Sequence, residues 1–295
     1  MELAVFVTKR PVLSFFLLTF IISWGIWIPA LILYMLNPFP LVSLASVPLP
    51  LLILYTLGFF GPTFAALIIT GLQEGPSGIT KLLSRWKIWR IGMQWYLATL
   101  LIEIVVVLVA IQLYILLFTL SPQVTWGLWY LFFPVFLQFA LIGGPIAEET
   151  GWRGYALPRM MKSQNALNAS LLLGLLWAIW HLPVKFVDIP VPLDPFIFGI
   201  FSLNTITLSV IMAWLFNNTR GSVFICYLYH IMVNTVGTVL LGAIFHFENV
   251  GLTWMMTVTF ITALHCVLAI ALVLFYGPTL SHNKIEDTSN PSQIS

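Results

Sequence analysis

The sequence predicts an all-α membrane protein, a polytopic bundle of about eight transmembrane helices. Three observations predict it. Hydrophobic residues make up 60% of the 295 residues, and Asp, Glu, Lys and Arg only 7%, against roughly 25% in a soluble domain. The mean hydropathy is +1.01, too apolar for a surface covered by water. The apolar residues also fall into eight runs: 13–36, 49–71, 92–119, 128–160, 166–186, 196–217, 221–245 and 253–277. Each reaches the ~20 residues a helix needs to cross the hydrocarbon core. A net charge of +2 with no basic face excludes nucleic-acid binding. Cys226 and Cys266 lie in apolar runs without a CxxC, so neither a disulfide framework nor a cysteine metal site is expected.

Taken in order, the first run is too long for the ~7–15-residue core of a signal peptide and reads as a span. The segment 72–91 opens with turn residues and continues as a basic, Trp-bearing stretch, predicted to be an interfacial helix. If the spans alternate, eleven of the twelve basic residues fall on one side of the membrane, and only Lys185 falls on the other. The positive-inside rule then places both termini in the cytoplasm of a multi-pass cell-membrane protein. Residues 1–280 read as one transmembrane domain and 281–295 as a polar, disordered tail.

Ionisable groups inside a bilayer are costly and are functional candidates by default. Three clusters stand out: Glu148-Glu149-Thr150-Gly151-Trp152-Arg153, His181 within WAIWHLP, and His230 followed by Asn234. Glu149 and Arg153 are four apart and can pair on one helix face. Glu148 lies about 100° further round, so the two carboxylates need not share a task. His230 and Asn234, also four apart, present two polar groups side by side. At about 1.5 Å per residue, Glu148, His181 and His230 lie roughly 21, 24 and 15 Å below the cytoplasmic boundary. This common depth requires the fourth helix to run on past Arg153. Glu103, mid-span in the third run, reads as a structural hydrogen-bond partner or a protonated acid. His265, and His246 beside Glu248, read as isolated packing or outer-loop residues.

Two carboxylates, two histidines and an amide can activate water and stabilise an oxyanion. Alternatively Glu148, His181 and His230 could hold one divalent metal such as zinc, with metal-bound water as nucleophile. The spacing does not choose between a metal and none. There is no HExxH and no GxSxG. Read singly, each cluster is equally a buried ion pair or inter-helix hydrogen-bond glue; their common depth favours a site. A proton-coupled transporter would use the same residue types. Such folds show matching halves, however, and here the motifs crowd into the fourth, fifth and seventh runs. A non-proteolytic immunity or scaffold protein is the other alternative.

The ordered set Glu148-Glu149-xxx-Arg153, His181 and His230-xxx-Asn234 resembles the motifs of the CPBP intramembrane protease family, also called the CAAX protease and bacteriocin-processing, or Abi, family. The resemblance covers about 128–246. The family's Phe four residues before the histidine is Trp177 here. The resemblance implies an eight-helix endopeptidase acting on a membrane-associated protein or peptide. It implies Glu148 as general base, His181 positioning the water, Glu149 with Arg153 supporting the site, and His230 and Asn234 stabilising the oxyanion.

Overall fold

The computed structural model describes residues 2–36, 47–118, 123–186, 194–246 and 250–281. The chain is an all-α polytopic bundle. In chain order the helices are α1 (Glu2–Lys9), α2 (Pro11–Leu36), α3 (Leu49–Gly58), α4 (Gly61–Ser84), α5 (Met93–Phe118), α6 (Phe132–Leu141), α7 (Gly144–Glu149), α8 (Leu157–Met160), α9 (Ala166–Trp180), α10 (Leu182–Lys185), α11 (Pro195–Asn218), α12 (Val223–Val239) and α13 (Val250–Tyr276). Strands are limited, among the described residues, to the two-residue pair β1 (Gln123–Val124) and β2 (Phe245–His246), which run antiparallel.

Among the described residues, six helical segments are long and apolar enough to cross a membrane: Pro11–Leu36, Met93–Phe118, Gly127–Met160, Pro195–Asn218, Val223–Gly242 and Trp254–Thr279. The pair α3 and α4, bent by 48°, makes a seventh. The fifth predicted run is the exception. Its helix α9 has 15 residues, short for a span, because the chain turns at His181 into α10, with Pro183 in that helix's first turn. Large apolar side chains such as Leu36, Leu72, Leu116, Leu141, Leu274 and Phe275 face outward, as a lipid-facing surface requires.

Two predicted elements differ in the structure. The segment 72–91 is not a separate helix: α4 continues through it to Ser84, kinked at Gly75 (φ 66) with Pro76 behind it, followed by a 3₁₀ turn over Arg85–Lys87. The fourth run is broken at 142–143 between α6 and α7, then continues past Arg153 as one helical path. Thr150–Ala156 is π-helical and joins α7 to α8. A π segment shifts side-chain register relative to an α-helix and occurs often at functional sites. Of the predicted tail, residues 282–295 lie outside the described residues, as do Glu248, Lys284 and the side chain of His246.

The fourth path is wrapped by its neighbours. On α2, the buried stripe Phe15, Thr19, Ser23 and Trp27 repeats every four residues, one face of a helix. Ser23 Oγ donates to the Gly58 carbonyl at 2.7 Å and Trp27 Nε1 to that of Tyr55 at 2.9 Å, fixing α2 on α3. Thr63 Oγ1 of α4 donates to Ala147 O of α7 at 2.6 Å. Phe15, Trp152, Tyr155 and Trp180 form the aromatic centre of the main core. A second core of Val106, Val107, Ile111, Val236 and Ile261 joins α5, α12 and α13.

Candidate functional site

Glu148 and Glu149 end α7, and both are fully buried. As their 100° offset predicts, they look in different directions. Glu148 Oε2 accepts two indole N–H donors: Trp177 Nε1 of α9 at 2.6 Å and Trp152 Nε1, one turn along its own helix, at 3.2 Å. Two donors on one oxygen orient the carboxylate and offset its desolvation. They leave Oε1 as the oxygen not used by the indoles. That oxygen sits over Gly144, where a Cβ would come within 2.2 Å of it. Only glycine leaves it this space.

Glu149 Oε1 accepts from Arg153 Nη1 at 3.0 Å and from His230 Nδ1 at 2.8 Å. The predicted i,i+4 ion pair is therefore present. It also reaches across to α12, so Glu149 engages His230 rather than Glu148. Arg153 is fully buried, and its guanidinium lies 4.3 Å from the centroid of the Trp177 ring. That cation–π contact helps to offset the burial of a charge. The edge of the same indole meets the His230 ring, centroids 5.2 Å apart at 82°. Trp177 thus touches Glu148, Arg153 and His230 together.

His181 caps α9. Its Nδ1 lies 2.9 Å from the Trp177 carbonyl. A carbonyl only accepts, so Nδ1 carries the proton and Nε2 of the neutral ring holds the free lone pair. The ring is held between Trp180, Phe59 and Phe201, with centroids at 4.7, 6.3 and 5.4 Å. Asn234 lies one turn beyond His230 on the same face of α12, half-buried. Its side chain is not drawn into the Glu149–His230 network.

Of the residues that sequence reasoning placed together, Glu148, Arg153, His181 and His230 meet Trp177, Glu149 joins them through Arg153 and His230, and Asn234 stands apart. Trp152 and Trp177 were missed as donors, although Trp152 lies at i+4 from Glu148, where a contact could have been sought. Glu103, read as a structural hydrogen-bond partner or a protonated acid, has a hydrogen-bond partner, and that partner is His265, which was read as isolated. His265 Nε2 meets Glu103 Oε2 at 3.1 Å, and its Nδ1 meets Asn204 Oδ1 at 2.8 Å, joining α13, α5 and α11.

The metal alternative fits poorly. Among the described residues no three His, Cys, Asp or Glu side chains are grouped at a spacing that could hold a metal ion. The bonds to Trp177, the Trp177 carbonyl and Glu149 use one polar atom each of Glu148, His181 and His230 and leave a second, Oε1 or Nε2, on each.

Residues 129–236 match the family described as "Type II CAAX prenyl endopeptidase Rce1-like". That span holds all six candidate residues. CAAX prenyl protease 2 of Methanococcus maripaludis is 30% identical over 101 residues, which are 32% of this chain and 37% of the relative. The chain thus matches little more than a third of that curated relative's length. Both matches are consistent with the CPBP family that the motifs resemble.

Proposed function

We propose, on the premise that residues 129–236 form an Rce1-like endopeptidase core, that the chain hydrolyses a peptide bond of a membrane-associated protein or peptide within the bilayer. The observation that carries this reading is Glu148, buried and fixed through one oxygen by two indole donors.

In this reading Glu148 Oε1 takes the proton of a water while the water oxygen attacks the scissile carbonyl carbon. Nε2 of His181 accepts the water's second hydrogen and orients it. His230 donates from Nε2 to the developing oxyanion while its Nδ1 stays bonded to Glu149. Asn234, on the same face, adds a neutral donor. Glu149 is shared between Arg153 and His230 and is thus a positioning residue. Collapse of the intermediate expels the amine, which takes the proton back from Glu148. No step is routed through a metal.

The substrate class most in keeping with the relative's name is a prenylated CAAX-type C-terminus. The test uses the full chain in liposomes with a farnesylated CAAX peptide and its unprenylated twin, reading release of the C-terminal fragment. Cleavage of the farnesylated peptide alone supports the reading. Cleavage of both, lost in Glu148→Gln, keeps the endopeptidase and removes the prenyl requirement. Undiminished cleavage in Glu148→Gln overturns the assignment. The buried Glu103–His265 pair is what a proton-coupled carrier would use, and pH-gradient-driven solute uptake into the same liposomes would favour that second reading.

A further inference from the structure

The basic, Trp-bearing end of the segment 72–91 has no part in the proposed proteolysis. Lys87, Ile88, Trp89, Arg90 and Arg220 line a cavity of about 350 Å³, within the range of small-ligand sites. Three of the five lining residues are cationic and none is acidic.

The cavity is built rather than incidental. The turn between α11 and α12 takes left-handed backbone at Arg220 (φ 58) and Gly221 (φ 76), which turns Arg220 back toward 85–90. Three hydrogen bonds then stitch the two segments together. Arg85 Nη1 donates to Gly221 O at 3.5 Å, Ser222 Oγ to Ile88 O at 2.6 Å, and Arg220 Nη2 to Arg90 O. The Arg90 guanidinium stacks on Trp89, 5.0 Å from the ring centroid. Lys87 is exposed and forms no ion pair among the described residues.

Its place in the fold sets the ligand. The membrane-crossing segments α5, α11 and α12 begin or end within a few residues of it, so it lies at the rim of the apolar bundle. Trp89 is 53% exposed there, where an indole favours the headgroup layer. Basic pockets at this depth are suited to anionic lipid headgroups.

We propose that this cavity binds the phosphodiester headgroup of an anionic phospholipid, with Lys87, Arg90 and Arg220 as its cationic wall and Trp89 as its interfacial anchor. The proposal is independent of the proteolytic reading. It is tested on the full chain in neutral detergent, titrated separately with dioleoylphosphatidylglycerol and dioleoylphosphatidylcholine, counting bound lipid by native mass spectrometry. The expected result is one phosphatidylglycerol held at least about tenfold more tightly than phosphatidylcholine. Lys87→Glu should weaken it severalfold, and the triple variant Lys87→Gln/Arg90→Gln/Arg220→Gln should abolish the preference. Lys162→Glu, an exposed basic position outside the cavity, should leave it unchanged. Should the triple variant fail to fold, Lys87→Glu decides, since Lys87 is exposed and forms no ion pair among the described residues. Equal retention of the two lipids, or undiminished preference in Lys87→Glu, overturns the proposal. So does full displacement by excess inorganic phosphate, which would make the cavity a free-phosphate site.

Discussion

Trp177 is the residue on which the candidate site turns. Its N–H fixes Glu148, its ring face covers Arg153, its edge meets His230 and its carbonyl holds His181. A phenylalanine would keep the packing and lose the donor. A hydrogen bond to a charged group contributes about 1.5–3 kcal/mol, so Trp177→Phe should lower the melting temperature and also lower kcat per folded molecule about tenfold or more, with KM nearly unchanged. A loss of stability with unaltered kcat per folded molecule would make Trp177 structural only. Gly144→Ala puts a methyl within 2.2 Å of Glu148 Oε1 and should abolish cleavage, whereas Gly25→Ala in α2, where a Cβ meets nothing within 4 Å, serves as the control for a tolerated glycine substitution. The motif residues were legible because i,i+4 spacing survives any helical fold. The double indole clasp on Glu148 was not, because it depends on rotamers and on the approach of α9 to α7.

At the scale of elements, the fourth helical path is what makes the site possible, and its continuity past Arg153 was legible. Glu148, Glu149 and Arg153 occupy two turns joined through π-helical backbone, held from one side by Thr63 of α4 and from the other by His230 of α12. The kink at Gly75, the break at 142–143 and the truncation of α9 were not legible as such. Gly and Pro mark all three places, but a mark does not say whether a helix bends or ends. The link from α5 to α13 was hidden for a different reason: Glu103 and His265 are 162 positions apart, and no periodicity relates distant helices. That pair, completed by Asn204, joins three helices inside the bundle. His265→Ala removes the histidine partner of a buried carboxyl and should cost about 3 kcal/mol, read as a lowered melting temperature in detergent. Cleavage per folded molecule should be unchanged, because none of the three touches Glu148. A loss of turnover at unaltered stability would contradict this.

For the whole molecule, composition sufficed for the fold class: so few charges cannot cover a soluble domain, and the helices present apolar side chains outward. Sidedness is a prediction. Both termini should be cytoplasmic, with Lys185 on the opposite face, which requires α9 and α10 together to complete an eighth crossing. Single cysteines at 9 and 185 in a Cys226→Ser/Cys266→Ser background should therefore react with a membrane-impermeant maleimide in opposite membrane orientations; labelling from the same side would overturn the topology. The same scarcity of charge is what isolates the Glu148 cluster as a site, and the central claim is that Glu148 performs proteolysis there. The most direct measurement compares membrane-proteome termini in cells carrying the wild-type chain and Glu148→Gln at equal abundance. The account predicts a set of new termini in membrane-associated proteins or peptides that is present with the wild type and absent with Glu148→Gln. Identical termini in both strains would contradict it.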